Sequence, residues 1–254
     1  VDLIRSAHAE VLPTSPSFLR LLCAGRDISS NDLPTLKVVT FGSEPMDATT
    51  LHHMMDRFPY VELIQKYGTT ETGSPRTQSR SNDSLWFRFK GGSSEAEAMV
   101  REGVLWLRTR ANLLGYLNAD MPLSEDGWYC TGDLVEQDGE WIRVIGRDSE
   151  MINVGGEKVS PAEVEDVIRE LGFVRDVMVT GEPNGLLGNI VVAKVVIDVA
   201  GSTDPVSITR QIRRHGRSRL APFKVPVKVE FVDQLAASPR MKRVRPPPTD
   251  QSTS

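Results

Sequence analysis

The chain has 254 residues, a length that suits one or two domains at about 150 residues each. Hydrophobic residues make up 39% and charged residues 25%, an ordinary globular balance that excludes collagen-like, low-complexity and wholly disordered chains. Net charge is −4, and no apolar run approaches the roughly 20 residues that a membrane helix needs.

The opening stretch VDLIRSAHAEVLPTSPSFLRLL starts at Val1 and has no basic-then-apolar signal pattern. It reads as mid-domain sequence, so the chain is expected to be the C-terminal part of something longer. Residues 15–24 predict a helix with Ser15 as N-cap and Pro16 in the first turn. LKVVTFG (36–42) predicts a strand, Asp47–Phe58 a helix and YVELIQKYG (60–68) a second strand. Strand, helix, strand in this order predicts a βαβ unit and a parallel sheet. The pattern from Asn82 to Gly92 is unclear. GVLWLRT (103–109), WYCTGDLVEQDG (128–139) and EWIRVIGR (140–147) predict antiparallel strands, with turns at Asp126-Gly127 and Asp138-Gly139.

Beyond Gly146-Arg147 the style changes. Ser160 as N-cap, Pro161 at the first position and Glu163 closing a capping box predict a helix to about Leu171. VRDVMVTG and NIVVAKVVID predict strands, 207–219 a helix with Ile208 and Ile212 on one face, and VKVEFV a last strand. These make a small α+β unit with its boundary near residues 147–150. The fold class is therefore α/β: part of a parallel-sheet domain (1–80), a β-rich subdomain (81–147), a small α+β domain (148–246) and a disordered tail (247–254).

Charge is uneven. Residues 205–245 hold 11 Lys/Arg against 2 acids, a net +9 that leaves −13 on the rest. A basic segment facing an acidic body suggests an anionic ligand, although a solvated helix face reads equally from Arg210–Arg219. Only Phe223 and Phe231 interleave these cations, too few for a nucleic-acid stacking platform. The two cysteines, Cys23 and Cys130, form neither CxxC nor a metal cluster, which points to a reducing, cytoplasmic setting.

Candidate chemistry gathers at strand-to-loop junctions. In Tyr67-Gly68-Thr69-Thr70-Glu71-Thr72-Gly73, glycines allow close backbone approach, hydroxyls at Thr69, Thr70 and Thr72 suit phosphate, and Glu71 is a hard oxygen ligand for Mg²⁺. Tyr67 offers an aromatic face for a base. TFGSEP (40–45) is a second junction of the kind that lines ligand crevices in parallel α/β sheets. Asp133, after a Gly in a turn context, can accept two ribose hydroxyls or cap the turn. Arg147 suits an anion, and Gly155-Gly156 can flex or admit a thin chain. Lys242 lies in a terminal basic run. There is no GxGxxG, no GxxxxGK[ST], no HExxH and no GxSxG.

In order, FGSEP, QKYGTTETG, GYLN (115–118), DGWYCTGDL, GRDSEMINVGGEKVSPAEVE, LAPFKVP and the terminal Lys242 resemble the adenylate-forming superfamily of acyl- and aryl-CoA ligases, nonribosomal adenylation domains and luciferase. The match runs from Val11 to Arg245 and looks like the C-terminal half, with the family's TSGTTGxPKG-type phosphate loop lying upstream. The resemblance implies ATP-dependent activation of a small carboxylic acid as acyl-AMP, then transfer to the thiol of coenzyme A or phosphopantetheine. It also implies a mobile C-terminal lid. Gly42, Ser43 and Glu44 would border the adenine and acyl pocket, with Tyr67, Gly68 and Thr69 beside them. Thr70 would touch phosphates, Glu71 would hold Mg²⁺, Asp133 the ribose with Arg147 close by, and Lys242 the α-phosphate and carboxylate. Ser149, Asn153 and Met241 depart from the usual residues. Alternatives are an adenylation domain loading a carrier protein, and a nucleotide- or acyl-binding fragment without turnover.

Overall fold

A computed structural model describes residues 1–24, 28–90, 96–110, 113, 116–118, 123–198 and 204–235. The chain forms two compact units, Val1–Ile145 and Gly146–Ser254. It is α/β, with three sheets among the described residues. No described helix is long and apolar enough to cross a membrane.

The first unit opens with a short helix α1 (Asp2–Ser6) and a parallel sheet ordered β1 (Val11–Thr14), β2 (Val38–Phe41), β3 (Glu62–Gln65). The crossovers are α2 (Pro16–Ala24) and α3 (Ala48–Arg57). Ser15 Oγ accepts the Phe18 amide at 3.3 Å, as its predicted cap requires, and Asp47, read in sequence as the first helical residue, is the N-cap of α3 and accepts the Thr50 amide at 2.7 Å. Leu19 and Leu22 on α2, and Leu51 and Met54 on α3, lie at helical spacing and are buried with Val39 and Phe41 of β2.

A six-stranded sheet follows. It comprises β4 (Thr77–Ser79), β5 (Phe87–Phe89), β6 (Ala96–Arg101), β7 (Val104–Thr109), β8 (Tyr129–Asp138) and β9 (Trp141–Arg147), in the order β4-β5-β9-β8-β7-β6. The stretch from Asn82 onward, unpatterned in sequence, contains β5. Asn82 lies ahead of that strand and reaches back across 19–21 residues: its Oδ1 accepts Leu63 N–H and its Nδ2 donates to Val61 O, both at 2.9 Å. Thr77 Oγ1 likewise donates to Gln65 O at 2.6 Å, so β4 is laid against the end of β3.

The ladder between β7 and β8 slips. Trp106 faces Cys130 but Val104 faces Leu134, so β8 carries two extra residues between them. Gly132 there has φ 71°, the left-handed region that only glycine enters without penalty. Asp133 sits on this bulge, its amide donating to Thr131 Oγ1 at 3.1 Å.

The second unit has β10 (Ile152–Val154), β11 (Glu157–Val159), α4 (Pro161–Arg169), β12 (Val174–Asn184), β13 (Gly188–Ile197), α5 (Pro205–Arg219) and β14 (Lys228–Phe231). The sheet runs β11-β10-β13-β12, and β14 joins β13 in parallel. Val164 and Ile168 of α4 and Ile208 and Ile212 of α5 pack on Val177, Val179, Val191 and Val195. Ser160 Oγ accepts the Glu163 amide at 3.5 Å. The other half of the expected capping box does not form as read: both Glu163 carboxylate oxygens take Lys224 Nζ at 2.7 Å, a stronger charge-assisted partner.

The bond that fixes α4 to the sheet is buried and ionic. Glu165 is 2% exposed and Arg169 9%. Arg169 Nη2 donates to Glu165 Oε2 at 3.0 Å, while Glu165 Oε1 accepts the Val179 amide of β12 at 2.9 Å. Removing Glu165 leaves the buried Val179 amide without its acceptor and takes the buried carboxylate from Arg169, whose other acid, Asp166 at 3.1 Å, is partly exposed. Glu165→Ala is therefore expected to destabilise the chain by about 3 kcal/mol or more, read by urea denaturation, whereas an exposed pair such as Lys158–Asp148 is worth less than about 1 kcal/mol.

Candidate functional site

Two loops leave the carboxyl ends of adjacent parallel strands, the usual position for a ligand crevice in such sheets. They touch through backbone. Lys66 N–H donates to Phe41 O at 2.7 Å, and a Cβ on Gly42 would stand 2.5 Å from Lys66 O. Gly42 is thus required by strand-to-strand approach. Ser43 is exposed with φ 69°, a rare conformation for a residue with a side chain. Glu44 does not face an open pocket as the resemblance implied. Its carboxylate accepts Ser17 Oγ at 2.6 Å and Ser17 N–H at 3.4 Å, and lies 3.5 Å from Arg20. It serves the N-terminal end of α2.

The second loop is closed on itself. Thr69 Oγ1 accepts the amides of Glu71 and Thr72, each at 3.2 Å, and lies 3.1 Å from Thr72 Oγ1. Thr72 is 1% exposed. The expectation that Thr69 and Thr72 offer hydroxyls to phosphate is corrected: both are occupied in holding the loop, while Thr70 is exposed. Gly68 has a similar internal reason, since a Cβ there would meet Gly73 O at 2.3 Å and Ser74 Cα at 2.7 Å. The loop is anchored outward by Thr109 Oγ1 to Thr72 O (3.1 Å) and Leu113 N–H to Glu71 O (2.6 Å).

This loop and the β8 bulge are cross-linked. Tyr67, four residues before Glu71, donates its hydroxyl to Asp133 Oδ2 at 2.5 Å. Tyr129, four residues before Asp133, lies close enough to Glu71 for each to shift the other's titration. Tyr116 adds a third hydroxyl, donated to Glu71 Oε1. One face of the Tyr67 ring lies on Phe87, with centroids 5.5 Å apart and planes at 16°, and Phe89 meets its edge. Asp133 is 7% exposed.

These contacts set the charges. Partial burial pushes the Glu71 carboxyl up, but hydrogen bonds from Tyr116, Thr69, its own amide and Tyr129 outweigh it, and the group titrates below the usual range. Burial, then the Glu71 charge, hold the Tyr129 phenol well above its ordinary value. The hydrogen bond to Glu71 raises Tyr116 as well. Glu71 is therefore a fixed anion ringed by neutral donors. Among the described residues no group of three or more His, Cys, Asp or Glu could hold a metal alone. One ionised carboxylate nevertheless suits Mg²⁺ whose other ligands are phosphate and water oxygens. Cys23 is no nucleophile, since burial pushes its thiol up to about 11.

Of the other expected site residues, Arg147, Gly155 and Gly156 belong to the second unit. Arg147, in the second unit, is exposed and ends β9. Gly155 and Gly156, at φ 61° and 93°, are the central pair of a two-residue hairpin between β10 and β11, a tight turn rather than a flexible joint. Asn153 Oδ1 accepts the Gly156 amide there at 3.0 Å. Lys242 and Gly115 fall outside the described residues, as does the tail 247–254. Sequence reasoning assigned no role to Tyr116 or Tyr129. The available signal was period-two spacing, which puts Tyr129 on the same strand face as Thr131 and Asp133.

Comparison with known proteins shows the family. Residues 1–89 match the family described as AMP-binding enzyme, and residues 163–242 the AMP-binding enzyme C-terminal domain. The chain belongs to the adenylate-forming, AMP-binding enzymes. It is 29% identical over 251 residues to the indoleacetate–CoA ligase of Aromatoleum aromaticum, covering 92% of this chain and 48% of the ligase. It is 28% identical over 266 residues to the fatty acid–[acyl-carrier-protein] ligase ScoC of Streptomyces coeruleorubidus, covering 96% and 50%. ATP-bound MatB from Rhodopseudomonas palustris matches with TM-score 0.76 at 25% identity, covering 96% of this chain and 50% of that one. The chain spans about half the length of the curated relatives it matches.

Two outcomes test this site. Gly68→Ala must push the loop open, an overpacking expected to cost about 1–3 kcal/mol by chemical denaturation. Tyr116→Phe removes a donor that favours ionised Glu71, so the Glu71 titration moves upward in carboxyl-detected NMR. The sign follows from a depressed carboxyl: what these bonds add to loop stability is present above the ordinary carboxylate range and is lost as pH falls through the lowered value.

Proposed function

We propose that the protein carrying this chain activates a carboxylic acid with ATP and passes the acyl group to a thiol. The observation that carries the reading is the Tyr67–Asp133 hydrogen bond that ties the Glu71 loop to the β8 bulge, in a chain of this family. A carboxylate oxygen attacks the α-phosphorus of ATP, pyrophosphate leaves, and acyl-AMP remains. The thiol sulfur then attacks the acyl carbon and AMP departs with the electron pair.

In this reading Asp133 accepts the ribose hydroxyls, and the exposed Thr70 donates to phosphate oxygens. Gly42, Ser43, Tyr67 and Gly68 line the nucleotide side, with Arg147 contributing positive charge. Glu71 would hold Mg²⁺, which would neutralise phosphate charge. Lys242 supplies an ammonium where negative charge develops on the reacting phosphate and carboxylate, the place at which a contact accelerates the step. Positioning and electrostatics do most of the work in such a transfer. The likeness to ScoC, named as a ligase acting on an acyl carrier protein, supports a second reading in which the acceptor is a carrier-protein pantetheine rather than coenzyme A.

The test is ATP–pyrophosphate exchange on the full-length protein with a panel of aryl, fatty and amino acids. Lys242→Ala is expected to lower exchange by at least about 10²-fold, the loss of one preorganised donor. Asp133→Asn is expected to raise KM for ATP by about tenfold, the loss of charge-assisted hydrogen bonds to the sugar. Exchange that no acid stimulates, or that both variants leave unchanged, overturns the reading.

A further inference from the structure

Helix α5 carries an arrangement that acid activation does not use. No Asp or Glu occurs from Pro205 to Val229, while Arg210, Arg213, Arg214, Arg217 and Arg219 all fall on the helix. Two of the five have partners. Arg213 donates to the carbonyls of Pro226 and Val227, and Arg219 pairs with Glu170 at 3.3 Å. Arg210, Arg214 and Arg217 make no ion pair among the described residues. They are exposed and stand at i, i+4 and i+7, which places them on one face. Like charges at this spacing destabilise a helix by a few tenths of a kcal/mol per pair. Other cations of the same unit are neutralised: Lys158 by Asp148, Lys224 by Glu163, and Lys228 by Glu182 and Glu230. Asp204, the acid that precedes the helix, is engaged in capping it through the Val206 and Ser207 amides.

The three arginines rim a groove of about 620 Å³ between α5 and β14. Its floor is apolar. Val206 is 63% exposed, and Val229 and Phe231, on one face of β14 by strand alternation, are half-buried. Lys228 and Glu230 fall on the opposite face and pair with each other there.

We propose that this groove is a docking surface for an acidic amphipathic helix of a partner protein. Its apolar side chains would cover Val206, Val229 and Phe231, and its carboxylates would meet Arg210, Arg214 and Arg217. The charge determines that the occupant is anionic. The apolar floor favours a protein helix over a phosphate backbone, which gains nothing by covering valines, and a single ring, Phe231, makes no stacking platform for bases. The proposal stands on the second unit alone and does not depend on the acid-activation reading.

The test is fluorescence anisotropy of the full chain with a designed peptide of about four helical turns, leucines along one stripe and glutamates on both flanks. The glutamate peptide is expected to bind, with affinity falling as ionic strength rises. Replacing its glutamates by glutamine, with the protein untouched, is expected to weaken it at least about tenfold, as is the triple change Arg210→Gln, Arg214→Gln, Arg217→Gln. Circular dichroism checks that the triple variant keeps its helices. Val206→Ser is expected to weaken the peptide about two- to fivefold and to leave any oligo(dT) binding unchanged. No binding of the glutamate peptide overturns the proposal. So does equal affinity for the glutamine peptide, or oligo(dT) binding as tightly and displacing the peptide, which would make the groove a polyanion site.

Discussion

A carboxylate held by a tyrosine from another element is the constraint on which the first unit's chemistry depends. Tyr67 travels with Glu71 but donates to Asp133, while Tyr116 donates to Glu71 itself. Moving the loop breaks the contact on the bulge. A loop from a parallel sheet and a bulge from a six-stranded sheet are thereby held in one register, although they lie more than sixty residues apart in sequence. The donors are phenols, which keep their protons across the physiological range when buried beside an anion, so the clamp holds without adding charge of its own.

Much of this was legible in the residues because the signals are local. Ser15, Asp47 and Ser160 announce helix starts by accepting an amide two or three positions on, and each does so. The parallel sheet follows from short apolar runs separated by an amphipathic helix. Asn82 and the strand β5 beyond it were not legible, because the partners of Asn82 are Val61 and Leu63 and nothing nearby in sequence marks them. The residues that make the nucleotide-type loop were recognisable as a set, yet their tasks divide in a way that composition does not reveal. Thr70 and Glu71 are available to solvent in part, whereas Thr69, Thr72, Gly68 and Glu44 are committed to backbone and helix. A hydroxyl reads the same in sequence whether it meets a ligand or the next amide.

The second unit shows a similar division of labour. Several of its acids are engaged internally: Glu165 with Arg169 and a strand amide, Glu163 with Lys224, and Glu170 with His215 and Arg219. Arg210, Arg214 and Arg217 on α5 are left exposed, gathered beside Val206, Val229 and Phe231, a combination that marks recognition surfaces rather than solubility.

The bulge at Gly132 has a consequence for how this sheet can vary. Beyond it, from Leu134 to Asp138, β8 resumes its antiparallel course toward the turn at Gly139, and the two extra residues take up the offset between that ribbon and the part bearing Tyr129. The outer ribbon thus keeps its own pairing, out of step with the part that carries Tyr129, and one achiral residue takes up the change of direction just before Asp133.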